Sequence, residues 1–453
     1  MKKQMTLLAM ALLAALSCTP KYSGDDDWPD PDNIQKDTTN IPPKDTLDPV
    51  DPPKDTVVSN GPSFEIADFQ VSHHSVGLAL KLLDGKGEKC NLGVKLDGRK
   101  VEVHKKIKDG ETTLFSINCL KQGEDNTLRL FARNSMDTTW MEKSVRLEEA
   151  PSAYKVDWTD ISGEYSMPDG VKLYKASSGV TGRNVNMWYA IADMSKVALR
   201  TTLASTVTTP TDQVQKVLSA EGDVYVTVNG GYFASPSGSY SHLTDKGVRK
   251  AKNIATLTRS ASYYVTRGAF GVDEKGTPSI YWIFDESSFT SAYTSPLPVV
   301  DGGPVLSTSE TFPSEQLKWA PYEAVGGAPV LLRDGRICFD YLKTPDGKYY
   351  TNCELLQSDI FAEGLRAPRT AVGYTADGSV VLFICDGRDS GGSKGLTLDE
   401  EARILLGLGC TDALNLDGGG STAMVAGNNG TLLNCPSDGS ERKVLHFVSF
   451  VKK

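Results

Sequence analysis

The chain has 453 residues, 39% of them hydrophobic, so it is long enough for two or three domains with buried cores and needs no disulfide scaffold. A formal net charge of −9 argues against a basic nucleic-acid binder, and five histidines argue against chemistry that needs several imidazoles. Beyond the N-terminus there is no apolar run of the roughly 18 residues that a membrane-spanning helix requires.

Lys2 and Lys3 precede an almost wholly apolar stretch from Met5 to Leu16, which reads as a secretory signal rather than a span. It ends Ala15-Leu16-Ser17-Cys18, similar to a bacterial lipobox although Ala15 stands where leucine is usual. Residues 1–18 are therefore expected to be a lipoprotein signal peptide with Cys18 as the lipidated residue and membrane anchor. The acidic run Asp25-Asp26-Asp27 resembles a surface-export signal, which places the expected product at the outer membrane and on its outer surface. Residues 19–60 hold eight prolines, ten aspartates and four lysines, and Pro-Pro-Lys-Asp-Thr occurs at 42–46 and again at 52–56. Such a composition cannot bury a core, so a disordered tether is expected. The tether carries −6 by itself, so most of the chain's acidity reports nothing about a ligand.

Residues 61–150 read as seven short strands: Ser63–Val71, Ser75–Leu83, Asn91–Leu96, Lys100–Ile107, Thr112–Ser116, Thr127–Asn134 and Thr138–Leu147. Turn signals separate them, and Thr127–Arg133 alternates apolar with polar. An immunoglobulin- or fibronectin-like β-sandwich serving as a spacer is expected. Residues 151–453 read as one α+β domain with mixed sheets. Strands are expected at Val224–Val228, Ile280–Phe284, Ala328–Arg333, Thr370–Tyr374 and Val380–Cys385, and a short helix at Asp212–Ala220. A second helix at Leu398–Gly407 has Thr397 and Glu400 as a capping box, with Gly407 and Gly409 to end it. Seven cysteines remain after Cys18, with no C-x-x-C. Cys338 and Cys353 flank a hairpin and are candidates for a disulfide, with free buried thiols the alternative.

Four segments carry the chemistry. Asn229-Gly230-Gly231-Tyr232-Phe233 follows a strand; Asn229 could orient a sugar hydroxyl or phosphate oxygen, or merely form the turn. Val325-Gly326-Gly327-Ala328-Pro329-Val330-Leu331 leads to Arg333-Asp334-Gly335, with Glu323 just upstream as a third carboxylate; Asp301–Leu306 loosely repeats the pattern. Arg369-Thr370-Ala371-Val372-Gly373-Tyr374 precedes Asp386-Gly387-Arg388; Arg369 and Arg388 are candidates to fork onto a phosphate, or to pair with an aspartate. Leu414-Asn415-Leu416-Asp417-Gly418-Gly419-Gly420-Ser421-Thr422 places Asp417 at a strand end. The following glycine amides and the Ser421 and Thr422 hydroxyls suit an anion cradle. Two strand-end aspartates, Asp386 and Asp417, suit an acid/base or nucleophile pair.

Taken in order, the four segments resemble the phosphodiester glycosidase family, from Val224 to the C-terminus, with Glu441-Arg442 fitting a late family pattern. The resemblance implies hydrolysis of the glycosidic bond of a sugar-1-phosphodiester, such as a GlcNAc-α-1-phospho-sugar, with a glycan or sugar-phosphodiester as partner. Asp417, Asp386 and Glu323 are the expected catalytic set. Arg369, Arg388, Asn229, Gly230, Gly418, Gly419, Ser421 and Thr422 are the expected substrate and phosphate contacts. No cofactor and no essential metal are expected, there being no EF-hand spacing. Two rival readings stand beside this one. Gly391-Gly392-Ser393-Lys394-Gly395 with His446 fits a serine-hydrolase pattern, though not on a strand-to-helix elbow. The other rival is a non-catalytic cell-surface carbohydrate-binding protein.

Overall fold

The computed structural model describes residues 61–96, 102–117, 120–180, 182–258, 262–294, 296, 299–300, 317–339, 341–347, 355 and 360–453. The signal, Cys18, the tether, Asp301–Leu306, Cys119 and Cys353 lie outside the described residues, and with Cys353 so does the test of its pairing.

The N-terminal strands fall within two residues of their expected ends. One antiparallel sheet has the order Ser63–Val71, Val76–Asp84, Thr112–Ile117, and the other Glu102–Ile107, Cys90–Leu96, Asp125–Arg133, Thr138–Arg146. Alternation drives the packing: Leu128, Leu130 and Ala132 point inward to join Leu78, Leu80, Leu92 and Phe115 in one core shared by both sheets. The first sheet gains a short fourth strand from far along the chain, Val299–Val300, which pairs with Phe115 and Ser116. From Ser59 to Lys453 the chain is one compact unit.

The rest of the chain is dominated by β structure. Its larger sheets have eight, seven and five strands, and every strand pairing described is antiparallel. Among the described residues there are two α-helices, Pro210–Glu221 and Leu398–Gly407, so the helical share is smaller than an α+β reading expects. The eight-stranded sheet holds Arg369–Thr375, Val380–Cys385 and Cys410–Asn415; the five-stranded sheet holds Val224–Asn229 between Val444–Lys452 and Met424–Ala426. The seven-stranded sheet holds Glu323–Gly327. Leu382, Val226, Phe270, Trp282 and Phe450, drawn from all three sheets, share one core. The other face of the eight-stranded sheet is covered in part by the helix Leu398–Gly407, which packs on Val330–Arg333 and Cys410–Asn415, and Ile404 and Leu405 share one apolar cluster with Val381 and Phe383.

That helix forms with its capping box intact: Thr397 Oγ1 accepts from the Glu400 N–H, and Glu400 accepts from the Thr397 N–H. Gly407 does a job the sequence did not reveal. A Cβ there would lie 2.1 Å from the carbonyl oxygen of Tyr154, so the glycine admits the segment arriving from the sandwich. Arg403 closes the same contact, its backbone carbonyl accepting from the Tyr154 N–H and its guanidinium lying 4.0 Å over the Tyr154 ring.

Candidate active site

The ends of three sheets meet at the motif glycines. Gly230 donates its N–H to the His446 carbonyl and accepts from the Asp417 N–H, tying the strand ending at Asn229 to the loop after Asn415. A Cβ on Gly231 would come 2.3 Å from the Gly326 carbonyl, and one on Gly327 would come 2.2 Å from that of Asn415. The Tyr232 hydroxyl donates toward the Ala328 and Leu416 carbonyls and accepts from Asn415 Nδ2. These paired glycines are therefore packing residues, set where backbone crosses backbone.

From this crossing runs the turn Gly418–Thr422, which begins beside Asp417 and is tied to Asp386 at its far end through Asn434. Asp417 is half-buried. Burial pushes its carboxyl up to about 6, against the opposing pull of the Ser421 hydroxyl, the Arg442 cation and the Gly418 N–H. Asp386 is buried at the end of its strand, and burial raises its carboxyl to about 6 as well. Its Oδ1 accepts from Asn434 Nδ2 at 2.9 Å, and both of its oxygens accept from the Cys435 N–H at 3.1 Å. Asn434 Nδ2 also donates to the Thr422 carbonyl, so one amide holds Asp386 to the far end of the turn that begins at Asp417. The structure thus sets Asp417 beside Ser421 and links Asp386 through Asn434 to Thr422.

Several expected ligands have other work. Asn229 is fully engaged inside the protein: its Nδ2 donates to the Asp417 carbonyl at 2.6 Å, and its Oδ1 accepts from the Thr370 hydroxyl and the Ala423 N–H. It positions Asp417 rather than holding a sugar. Arg369 faces away. Residues alternate along a strand, and because Thr370 meets Asn229, Arg369 points to the opposite side. There its Nε donates to the Leu396 carbonyl and its guanidinium to that of Leu365, beside the buried Glu401. The expectation that Arg369 forks onto a phosphate is corrected by this geometry. The expected amide cradle loses three donors: the Gly419 N–H is taken by the Pro368 carbonyl, and those of Ser421 and Thr422 by the Gly418 and Gly419 carbonyls. Glu323 belongs to a separate cluster, where it accepts from the N–H and hydroxyl of Thr201 and lies 3.6 Å from Arg200. Burial raises its carboxyl to about 7. It opens the strand that ends at Gly327, about 13 Å further along.

Two arginines flank the turn instead. The Arg388 guanidinium lies 3.2 Å from where a Cβ on Gly419 would be, which accounts for that glycine as well as its φ of 60° does. Arg442 lies over Gly420, paired with Asp438 at 2.7 Å and 3.5 Å from the Ser421 hydroxyl. Arg388 was visible in the sequence as a candidate. Asn434 and the site role of Arg442 were not, because both act across the fold from loops without periodicity. The serine-hydrolase reading finds no pair. Ser393 is buried and donates to the Asp386 carbonyl, while His446 hydrogen-bonds Ser239 and the Gly231 carbonyl. Among the described residues no group of three or more His, Cys, Asp or Glu side chains is placed to hold a metal ion.

One buried and one half-buried carboxyl, with two arginines beside the same glycine turn, make up the candidate site on a β-rich scaffold. A family model for phosphodiester glycosidases matches residues 222–450, and the chain belongs to that family. It is 28% identical over 219 residues to human N-acetylglucosamine-1-phosphodiester alpha-N-acetylglucosaminidase, a match covering 48% of this chain and 34% of the human protein. It is 40% identical over 81 residues to the SPbeta prophage-derived uncharacterized protein YomE of Bacillus subtilis, covering 18% of this chain and 12% of that protein. A solved zebrafish N-acetylglucosamine-1-phosphodiester alpha-N-acetylglucosaminidase catalytic domain, auto-inhibited by its pro-peptide, aligns over 67% of this chain and 87% of its own. That alignment has 18% identity and a TM-score of 0.38. The chain spans about a third of the length of its human relative.

Proposed function

We propose that this protein hydrolyses the glycosidic bond of a sugar-1-phosphodiester, with a GlcNAc-α-1-phospho-sugar as the first substrate to try. The observation that carries the reading is one glycine turn that starts beside Asp417 and is tied through Asn434 to Asp386, both carboxyls raised to about 6, with Arg388 and Arg442 beside the turn. In this reading the bond from C1 to the phosphate oxygen breaks, and the departing phosphomonoester takes the electron pair. Arg388 and Arg442 stabilise its growing charge. Asp417, ionised, attacks C1 or takes a proton from the attacking water, which supplies the new hydroxyl on the sugar. Asp386 serves the second carboxylate role, and Asn229, Thr370 and Asn434 hold the two groups in place.

The test is sugar release from GlcNAc-1-phospho-mannose by the purified chain, and no release from this or related sugar-1-phosphodiesters by folded protein would sink the reading. Because Asp417 acts ionised with its pKa raised, kcat/KM should fall about tenfold per pH unit below about pH 6. A profile flat down to pH 4.5 would remove Asp417 from that role. Cys435 is exposed, and its N–H holds Asp386. Methanethiosulfonate treatment should therefore lower the rate at least about tenfold, reversibly with dithiothreitol, by displacing that loop. The Cys435→Ser enzyme should be insensitive, and inhibition that persists in it would place the effect elsewhere.

The immunoglobulin-like reading of the sandwich is supported by its strand order. Export as a lipoprotein anchored at Cys18, with residues 19–60 as tether, rests on the sequence pattern and is tested by radiolabelled palmitate incorporation in wild type and Cys18→Ala.

A further inference from the structure

We propose that the outer face of the sandwich sheet formed by Glu102–Ile107, Cys90–Leu96, Asp125–Arg133 and Thr138–Arg146 is a binding platform for an anionic glycan. Cross-strand register sets the face out in rows. His104, Gly93, Phe131 and Trp140 are successive partners across the four strands, so their side chains share one face. The row on one side is Lys106, Asn91, Arg133 and Thr138; the row on the other is Glu102, Lys95, Arg129 and Glu142. The core needs none of these residues, since Leu92, Val94, Leu128 and Leu130 fill it from the opposite face.

An outward sheet face has no packing reason to carry phenylalanine and tryptophan. Here they form an assembled surface. The Phe131 and Trp140 rings lie 5.2 Å apart, and His104 meets the Phe131 edge at 6.3 Å. Arg129 lies 4.8 Å over Trp140, and Arg133 4.8 Å over Phe131. Phe131 is wholly covered, whereas Trp140 remains 39% exposed at the end of the row. The result is a partly exposed indole for the C–H face of a sugar ring, bordered by Arg129, Arg133, Lys95 and Lys106, with Glu142 3.5 Å from Arg129 and Glu88 near Lys106 as counter-charges. That surplus of positive charge sits on a chain whose net charge is −9, so the complementarity is local and selects an anion. Aromatic stacking beside fixed cations matches a polymer of sugars that carries phosphate or carboxylate groups. The choice of occupant rests on the reading of the larger domain as a sugar-phosphodiester glycosidase, whose polymer the platform would hold on the same chain.

The experiment is affinity electrophoresis of the full chain, carrying Asp417→Asn to suppress turnover, in gels containing phosphodiester-linked mannan, hyaluronan or neutral dextran. Retardation is expected in the phosphate or the carboxylate polymer, whichever supplies the anion, and not in dextran; it should weaken with salt. Trp140→Ala and Arg133→Glu should each weaken retention about tenfold, with Trp140→Phe retaining most of it. No retardation in either anionic gel, equal retardation in dextran, or retention unchanged in both variants would overturn the proposal. Turnover of the small soluble phosphodiester, measured with Trp140→Ala in the otherwise native chain, should stay at the native rate. It reports on the catalytic reading independently, so either idea can fail alone.

Discussion

Replacing Asp417 with asparagine is expected to slow GlcNAc release from a sugar-1-phosphodiester about a thousandfold while leaving the chain folded. Asparagine has the same shape and keeps an oxygen for the Ser421 hydroxyl and the Gly418 N–H, the groups that face the carboxyl now. What it lacks is the charge that attacks or deprotonates. The backbone carbonyl of residue 417, which Asn229 holds, is untouched by the change. Release assays and a thermal melt on one preparation separate the two effects. A folded variant within tenfold of the native rate would move the catalytic role to Asp386.

The largest structural effect should come from Gly327→Ala. Its new Cβ would meet the Asn415 carbonyl oxygen at 2.2 Å, and that carbonyl already accepts the Ala328 N–H. Neither side can yield, because one is backbone in the seven-stranded sheet and the other is backbone in the eight-stranded sheet. A loss of about 4 kcal/mol or more, or failure to accumulate folded protein, is the expected outcome. Gly335→Ala is the contrasting case. Nothing lies within 4 Å of its Cβ, but its φ is 71°, so a strain cost of about 1 kcal/mol is expected. Urea unfolding of both variants checks this, and a Gly327→Ala midpoint near the native one would show that the three sheets do not meet as rigidly as their contacts imply.

Legibility followed the range of the interaction. The strands of the sandwich and the helix Leu398–Gly407 were readable because alternation and the Thr397–Glu400 box are local signals. Asp386 and Asp417 were readable because a strand ends immediately before Asp386 and two residues before Asp417. Arg369 misled because the side to which a strand residue points depends on which neighbour lies where, and Thr370 had already claimed the side facing Asn229. The glycine pairs misled more subtly. A Gly-Gly that lets a ligand approach and a Gly-Gly that lets another strand approach read alike, and only the fold distinguishes them. Asn434 reaches Asp386 across 48 residues, a distance no local pattern spans.

The position of the strand Val444–Lys452 has a bearing on the order of events during synthesis. It lies in the interior of its sheet, hydrogen-bonded to Val197–Thr208 on one side and to Val224–Asn229 on the other. It also presents the His446 carbonyl to Gly230, beneath the candidate site. Until that stretch leaves the ribosome, both flanking strands present unpaired edges, and the loop that carries Asp417 lacks its support. The emerging chain is thus prone to aggregate at both edges until that stretch is made. Whatever machinery accompanies it has to shield two open edges at once until Val444–Lys452 is in place.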